Sequence, residues 1–210
     1  MRHAVDTSGV IPSLLKKRPT GPGWVCKKKG HLITTQHLVL RAPKVDDREA
    51  VRAIFDDEVV YWQGFPDELE LLDLEAERLA KGGLRRRPFG EWWLMCDRAS
   101  GEVVGTISAV DVDNVYTRCH VGLWLKDGWR GRGLGGEALA GVISVFSHLG
   151  FETAVAGTRT DNEKAIKLFT KFGFRRTTTK PHTLPNGYVV PSVWLELEIP
   201  KSSKPHCELR

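Results

Sequence analysis

Long hydrophobic runs are absent from this chain of 210 residues. The most apolar stretch, "LAGVISVF" at 139–146, falls far short of the ~20 residues a membrane-spanning helix needs. The N-terminal segment lacks the apolar core and small-residue cleavage site of a secretory signal. Cysteine is scarce: Cys26, Cys96, Cys119 and Cys207 are scattered, with no C-x-x-C pair. Neither a zinc site nor a disulfide framework is indicated, and reduced thiols in a cytoplasmic protein are the simplest expectation. Acidic residues are nearly missing from one end. Residues 1–30 hold seven Lys or Arg against Asp6 alone, while residues 31–210 hold 24 basic and 25 acidic side chains. The overall charge of +5 therefore belongs to the arm, not the body. Such an arm reads as a solvated extension through which nucleic acid or an acidic partner could be touched.

What is present describes one globular domain, with 41% hydrophobic and 27% charged residues. The expected organisation is a basic, disordered extension over 1–33, a folded domain over 34–200 and a polar tail over 201–210. Within the domain, "HLVLRAP" reads as a first strand ended by Pro43. "KVDDREAVRAIFDD" and "DELELLDLEAERLAKGG" follow as helices. "GEWWLMCD", "EVVGTISAVDV" and "YTRCHVGLWL" then form an antiparallel meander. A helix from about Leu134 ends at Gly150. The strand "FETAVAGT", a helix over "DNEKAIKLFTKFGF" and the last strand "SVWLELEI" complete an α/β (α+β) domain of order β-α-α-β-β-β-α-β-α-β. A short extended piece also fits 174–177.

The chemistry concentrates in "DGWRGRGLGGEALAG", 127–141, where Gly131, Gly133, Gly135 and Gly136 crowd a strand-to-helix turn. Gly131, Gly133 and Gly136 satisfy the dinucleotide fingerprint G-x-G-x-x-G. Arg130, Gly133 and Gly135 satisfy R-x-x-G-x-G, a turn suited to the pyrophosphate of coenzyme A. The dinucleotide reading, which would make the chain a reductase, requires the first turn of a parallel βαβ unit and an acidic residue about twenty positions on. Here the turn follows a meander, and that acid is missing. The second reading gives each residue a task. A helix start offers unpaired N–H groups and partial positive charge, and Gly allows close backbone approach. Arg130 and Arg132 add charge at the rim.

"WRGRGLGGEAL" followed by "DNEKAIKLFTKFGF" resembles the GNAT superfamily of acyl-CoA N-acyltransferases. "LVLRAPKVDDREAV" and "HVGLWLKDGWRGRGLG" are most similar to its RimJ/RimL-like branch. The resemblance implies an N-acetyltransferase that moves the acetyl group of acetyl-CoA to a primary amine by direct attack in a ternary complex. It implies that Leu123, Trp124 and Leu125 lie along the pantetheine arm and that a main-chain N–H there polarises the thioester carbonyl. It also implies that Arg130, Gly131, Arg132, Gly133, Leu134, Gly135 and Gly136 hold the pyrophosphate, with Asn162 reaching the coenzyme from the next helix. For Asn162, plain helix capping is an equal explanation.

Relatives often carry Glu where "HVGLWL" places His120, so His120 is the first candidate base, with Glu91 and Asp111 as alternatives. Phe169 and Ala165 stand where relatives have Tyr or Ser, and neither can give a proton. Thr160, Thr170 and Tyr188 are the hydroxyl candidates. That departure keeps a non-catalytic acyl-CoA-binding module as a second hypothesis. Tyr61, Trp62, Phe65, Trp92 and Trp93 come from segments that border the acceptor cleft in relatives, where they could hold a ring-bearing or cationic amine. Strand alternation sends Trp92 and Trp93 to opposite faces. The acceptor is a small molecule or a peptide. No metal and no membrane contact is expected, and no feature decides for or against a homodimer.

Overall fold

A computed structural model describes residues 32–65, 69–81, 90–111, 117–149 and 151–200. The basic arm, apart from the last residues before 34, and the C-terminal tail lie outside these residues. Among them run β1 (Ile33–Thr34), β2 (Leu38–Arg41), a single 3-10 turn (Val45–Asp47), α1 (Arg48–Arg52), α2 (Asp57–Gln63) and α3 (Leu69–Ala80). The strands β3 (Gly90–Asp97), β4 (Val103–Asp111) and β5 (Arg118–Leu125) follow. The chain continues through α4 (Leu134–Leu149), β6 (Thr153–Arg159), α5 (Glu163–Lys171), β7 (Arg175–Thr183) and β8 (Val189–Glu198).

The eight strands form one sheet of order β1-β2-β3-β4-β5-β6-β8-β7, antiparallel except at β5 and β6. The expected meander is present as β3-β4-β5. Three elements exceed the expectation. A two-residue β1 pairs with β2. A separate helix, α2, carries its own signals: the Asp56 carboxylate accepts from Val59 N, and Gly64 closes the end at φ 64°. The extended piece after Phe174 is a nine-residue strand, β7. All nine of its residues are exposed, so no alternation of apolar side chains announces it.

Strand alternation divides the core into two layers. On one face Leu38, Leu40, Trp93, Met95, Ile107 and Val121 pack against Leu139, Val142 and Phe146 of α4 and Phe169 of α5. On the other, Trp92, Leu94, Cys96 and Val103 meet Val51, Ile54, Val59, Leu72 and Leu79. At roughly 25 cal/mol per Å² of apolar surface removed from water, these layers are the main stabilising term. An Arg41–Asp47 pair, bidentate at 2.7 Å on both arms, ties the end of β2 to the turn before α1.

One irregularity positions everything that follows. β5 and β6 pair only over Arg118–His120 and Thr153–Val155. Beyond His120, β5 stays with β4 as far as Leu125, while β6 stays with β8 as far as Arg159. The two strands therefore splay, and the β6-facing main chain after His120 has no strand partner among the described residues.

Candidate active site

A cavity of about 880 Å³ opens in this splay. Its walls are β5 from His120 to Leu125, the glycine turn, one side of α5, Gly157 and Thr158 of β6, and Glu58, Val59, Trp62 and Gln63 of α2. A volume of that order suits a sizeable small molecule.

At the turn, Gly131 and Gly133 adopt φ of 76° and 82°, the left-handed region that L side chains rarely enter. A Cβ on either would meet nothing within 4 Å, so conformation alone demands glycine there. Gly135 and Gly136 are already inside α4 and serve packing. A Cβ on Gly136 would stand 2.8 Å from Phe172 Cε2, so the missing side chain is what lets α4 and α5 approach. The first turn of α4 is tied to the segment between β1 and β2 by its own Glu137, whose carboxylate accepts from Thr35 Oγ1, from His37 N at 2.6 Å and pairs with His37 Nδ1 at 2.8 Å. Gly133, Gly135 and Gly136 at this fixed helix start line the cavity, and a helix start leaves N–H groups without partners inside the helix.

Arg130 lines the cavity, but its charge is already engaged. Its guanidinium donates to Asp56 and, at 2.8 Å, to Glu58 of α2, and its Nε donates to Leu125 O at 2.9 Å. Burial pulls its pKa down, yet the Asp56 and Glu58 carboxylates leave it raised overall. Glu58 also accepts from Lys164 Nζ of α5 at 3.0 Å. Arg132 lies outside the cavity lining, its guanidinium 4.8 Å over the Trp129 ring, and Leu134 is buried in the core. Leu123, Trp124, Leu125, Gly131, Gly133, Gly135, Gly136 and Asn162 all line the cavity. Asn162 caps α5 by accepting from Ala165 N at 3.1 Å, which leaves its amino group as the part a ligand could use. Lys167 and Lys171 line the same wall as Lys164. Their i, i+3, i+7 spacing was readable in the sequence as one helix stripe.

His120 sits at the apex of the splay. Burial, with the nearby His182 adding to it, pushes its imidazole down to about 4, so the ring is neutral at physiological pH. Its ring lies 5.9 Å from Trp194 of β8. The Glu91 backbone pairs with Ala109 in the β3–β4 ladder, and the side chains of Glu91 and Asp111 lie outside the described residues. Trp62 lines the cavity, with Tyr61 packed on it at 4.9 Å. Arg159 stacks on both rings and donates to Tyr61 Oη at 2.9 Å. Neither Trp92 nor Trp93 lines the cavity. Trp93 is 1% exposed in the α4 layer, and Trp92 stands one ring behind the wall, against Trp124 at 5.2 Å. Phe169 and Ala165 line the cavity without a polar atom to offer, and Thr158 supplies the hydroxyl there. Thr170 instead donates back to Ile166 O at 2.7 Å, and Tyr188 is exposed. Among the described residues, no group of three His, Cys, Asp or Glu is placed to hold a metal ion, and no helix is long and apolar enough to cross a membrane.

The overall fold matches that of known structures. The fold is shared with a GNAT-family acetyltransferase from Bacillus anthracis (TM-score 0.67, 15% identity, 80% of this chain and 98% of that one). It is shared with RimL, a ribosomal-protein alpha-N-acetyltransferase in complex with coenzyme A (0.68, 18%, 80% and 98%). A ribosomal-protein-alanine acetyltransferase from Vibrio fischeri matches similarly (0.68, 18%, 81% and 97%). A search of curated proteins finds no match to the sequence. The family model described as "Acetyltransferase (GNAT) domain" matches residues 37–175, which include β2 to β6, the glycine turn and all of α5. By that match the chain belongs to the GNAT acetyltransferase family, whose members transfer an acetyl group from acetyl-CoA.

Proposed function

We propose that this chain is an N-acetyltransferase of the RimJ/RimL-like branch that acetylates a primary amine by direct attack. The observation that carries the reading is the splay of β5 from β6 at His120, with a left-handed glycine turn at its far end. The residues fit the coenzyme. Main-chain N–H groups from Gly131 to Gly136 would hold the pyrophosphate, Val121 to Leu125 would offer the pantetheine arm the edge that faces away from β4, and Asn162 would donate from α5. Arg130 acts one step behind, by fixing the turn to α2 through Asp56 and Glu58. Lys167 and Lys171 supply charge near the phosphates.

Bound acetyl-CoA supplies the activated acyl carbon. A β5 main-chain N–H beside the cavity stabilises the negative charge that develops on the carbonyl oxygen during attack. His120, neutral and partly buried where it lines the cavity, takes the proton that the amine must lose. As the carbon–nitrogen bond forms and the carbon–sulfur bond breaks, the sulfur leaves as thiolate and is protonated through water or Thr158. Trp62 and Tyr61 border the acceptor. The two cysteines described, Cys96 and Cys119, are buried and unbridged, which suits a reducing, cytoplasmic setting. The basic arm, with seven Lys or Arg against Asp6 over 1–30, suits contact with nucleic acid or an acidic partner.

Titration calorimetry with acetyl-CoA, followed by thiol release across a panel of amines, tests this function. Binding with turnover of at least one amine is expected. Binding without turnover of any amine would favour an acyl-CoA-binding module, as Phe169 and Ala165 would suggest. No binding would end the reading.

A further inference from the structure

Beyond His120, the sheet face that bears it continues across β6, β8 and β7 with no helix over β7, whose residues are all exposed. The pairing places alternate residues on this face. His120 is level with Val155, Gly157 with Trp194, Trp194 with Thr178, and Lys180 and His182 follow along β7. Gly157 lines the cavity, and the Trp194 ring lies over it: a Cβ on Gly157 would stand 3.0 Å from Cζ3. The indole therefore forms a floor that leads from His120 out of the cavity. At its outer side, Lys180 Nζ stands 5.1 Å over the ring and the His182 ring lies 6.1 Å away.

Charge on this floor is one-sided. The carboxylates nearby are used: Glu196 by Arg118, and Asp161 by Arg159, which donates to both of its oxygens. Lys180 has no carboxylate partner among the described residues. A second ammonium on the acceptor would find no free anion here, whereas a carboxylate or phosphate would meet Lys180, with His182 beside it. The Trp194 Nε1 is buried without a hydrogen-bond partner.

Resting on the acetyltransferase reading above, we infer that the acceptor is a primary amine with a carboxylate or phosphate about one indole ring away from the nitrogen, received by Lys180 across the Trp194 floor. The amine end reaches His120 over Gly157, the middle lies flat on the indole, and the anionic end stops at β7. Lys180 and Trp194 are specificity residues in this scheme, not participants in acyl transfer. An acceptor whose anion sits directly beside its amine is too short to span the ring.

The test uses the full chain and amines matched in shape. These are 2-phenylethylamine, 4-(2-aminoethyl)benzoate and tyramine phosphate, plus two short peptides with Glu or Lys at their second and third positions. Acetyl-CoA binding is measured first by calorimetry, then thiol release gives kcat/KM for each amine. The anionic member of a pair should be favoured by about fivefold, the scale of one exposed ion pair. Lys180→Glu should bring the ratio to one or below, and Lys180→Arg should restore it. The pair that shows the preference identifies the source as a small molecule or a peptide. A ratio near one in the unmodified chain, or a preference that survives Lys180→Glu, overturns this inference while acetyl-CoA binding stands. Loss of acetyl-CoA binding itself would remove the acetyltransferase reading and this inference with it.

Discussion

Asp56 and Arg130 lie 74 positions apart and share a hydrogen bond that joins α2 to the turn before α4. The same carboxylate caps α2 at Val59 N, 2.9 Å away, and accepts from Asp127 N at 3.0 Å. Burial raises its pKa, yet Arg130 and the two N–H donors outweigh that and hold the carboxyl below the usual range. One side chain thus fixes a helix start and the loop that leads into the glycine turn.

Asp56→Ala removes a cap and one of the two carboxylates to which Arg130 donates, leaving Glu58 alone, so a loss of about 2 kcal/mol in denaturant unfolding is expected. Asp56→Asn keeps a capping oxygen and should recover roughly half. Both variants should raise the Kd for acetyl-CoA, because Arg130 is released from the position that supports the turn. The carboxylate's contribution is present above about pH 4, the ordinary carboxylate range, and is lost as pH falls through its depressed value.

The glycines of the turn should separate by cause. Gly131→Ala and Gly133→Ala meet open space but force a left-handed backbone, at about 1 kcal/mol each. Gly136→Ala gains helix propensity of up to ~1 kcal/mol, but its Cβ meets Phe172 at 2.8 Å. A net loss is expected for it, with recovery in the double variant Gly136→Ala, Phe172→Leu. Thermal unfolding of the four proteins checks the contrast. No recovery in the double variant would count against the Phe172 contact as the cause.

His120 should make folding more favourable as pH rises from about 4 to 6.5. Its folded pKa is about 4 against about 6.5 when exposed, so over that window the unfolded chain holds the extra proton. The stability present above pH 6.5 is lost as pH falls, by up to about 3 kcal/mol. Unfolding measured across this range should lose much of its slope in His120→Gln. The acid limb of kcat/KM should likewise fall near 4 rather than near 6.5, and a limb near 6.5 would point to another base.

Lys167 and Lys171 line the cavity on α5, and no carboxylate partner is found for either among the described residues. Replacing both with Ala should weaken acetyl-CoA by about tenfold at low salt, with a smaller effect as salt screens the charges. Calorimetry at two ionic strengths would show it. An unchanged Kd at both would mean these lysines are only solvated.

Much of this was legible along the chain because the signals are local. The turn glycines, the Asn162 cap and the alternation of Trp92 and Trp93 depend on neighbours within a few positions. The order of the meander and the later helices followed from periodicity. Asp56 and Gly64 mark both ends of α2, but its seven residues are too few for an apolar period to set it apart from its neighbours. The full length of β7 has no sequence signal, because a strand exposed on every residue carries no apolar period. The floor at Trp194 had no local signal, since it forms only where β6, β7 and β8 bring Gly157, Lys180 and Trp194 level.

The sequence by itself determined where the backbone must bend and where helices begin, since φ preferences and capping are settled by adjacent residues. It also determined which residues lack a proton to give, since Phe169 and Ala165 are apolar in any fold. Only the tertiary structure decided which charge each cation meets. Arg130 meets Asp56 and Glu58 only through the fold, and burial among residues distant in sequence lowers the affinity of His120 for a proton. The reason is physical: Coulomb energy and desolvation depend on distance through space and on surrounding dielectric, and sequence separation specifies neither.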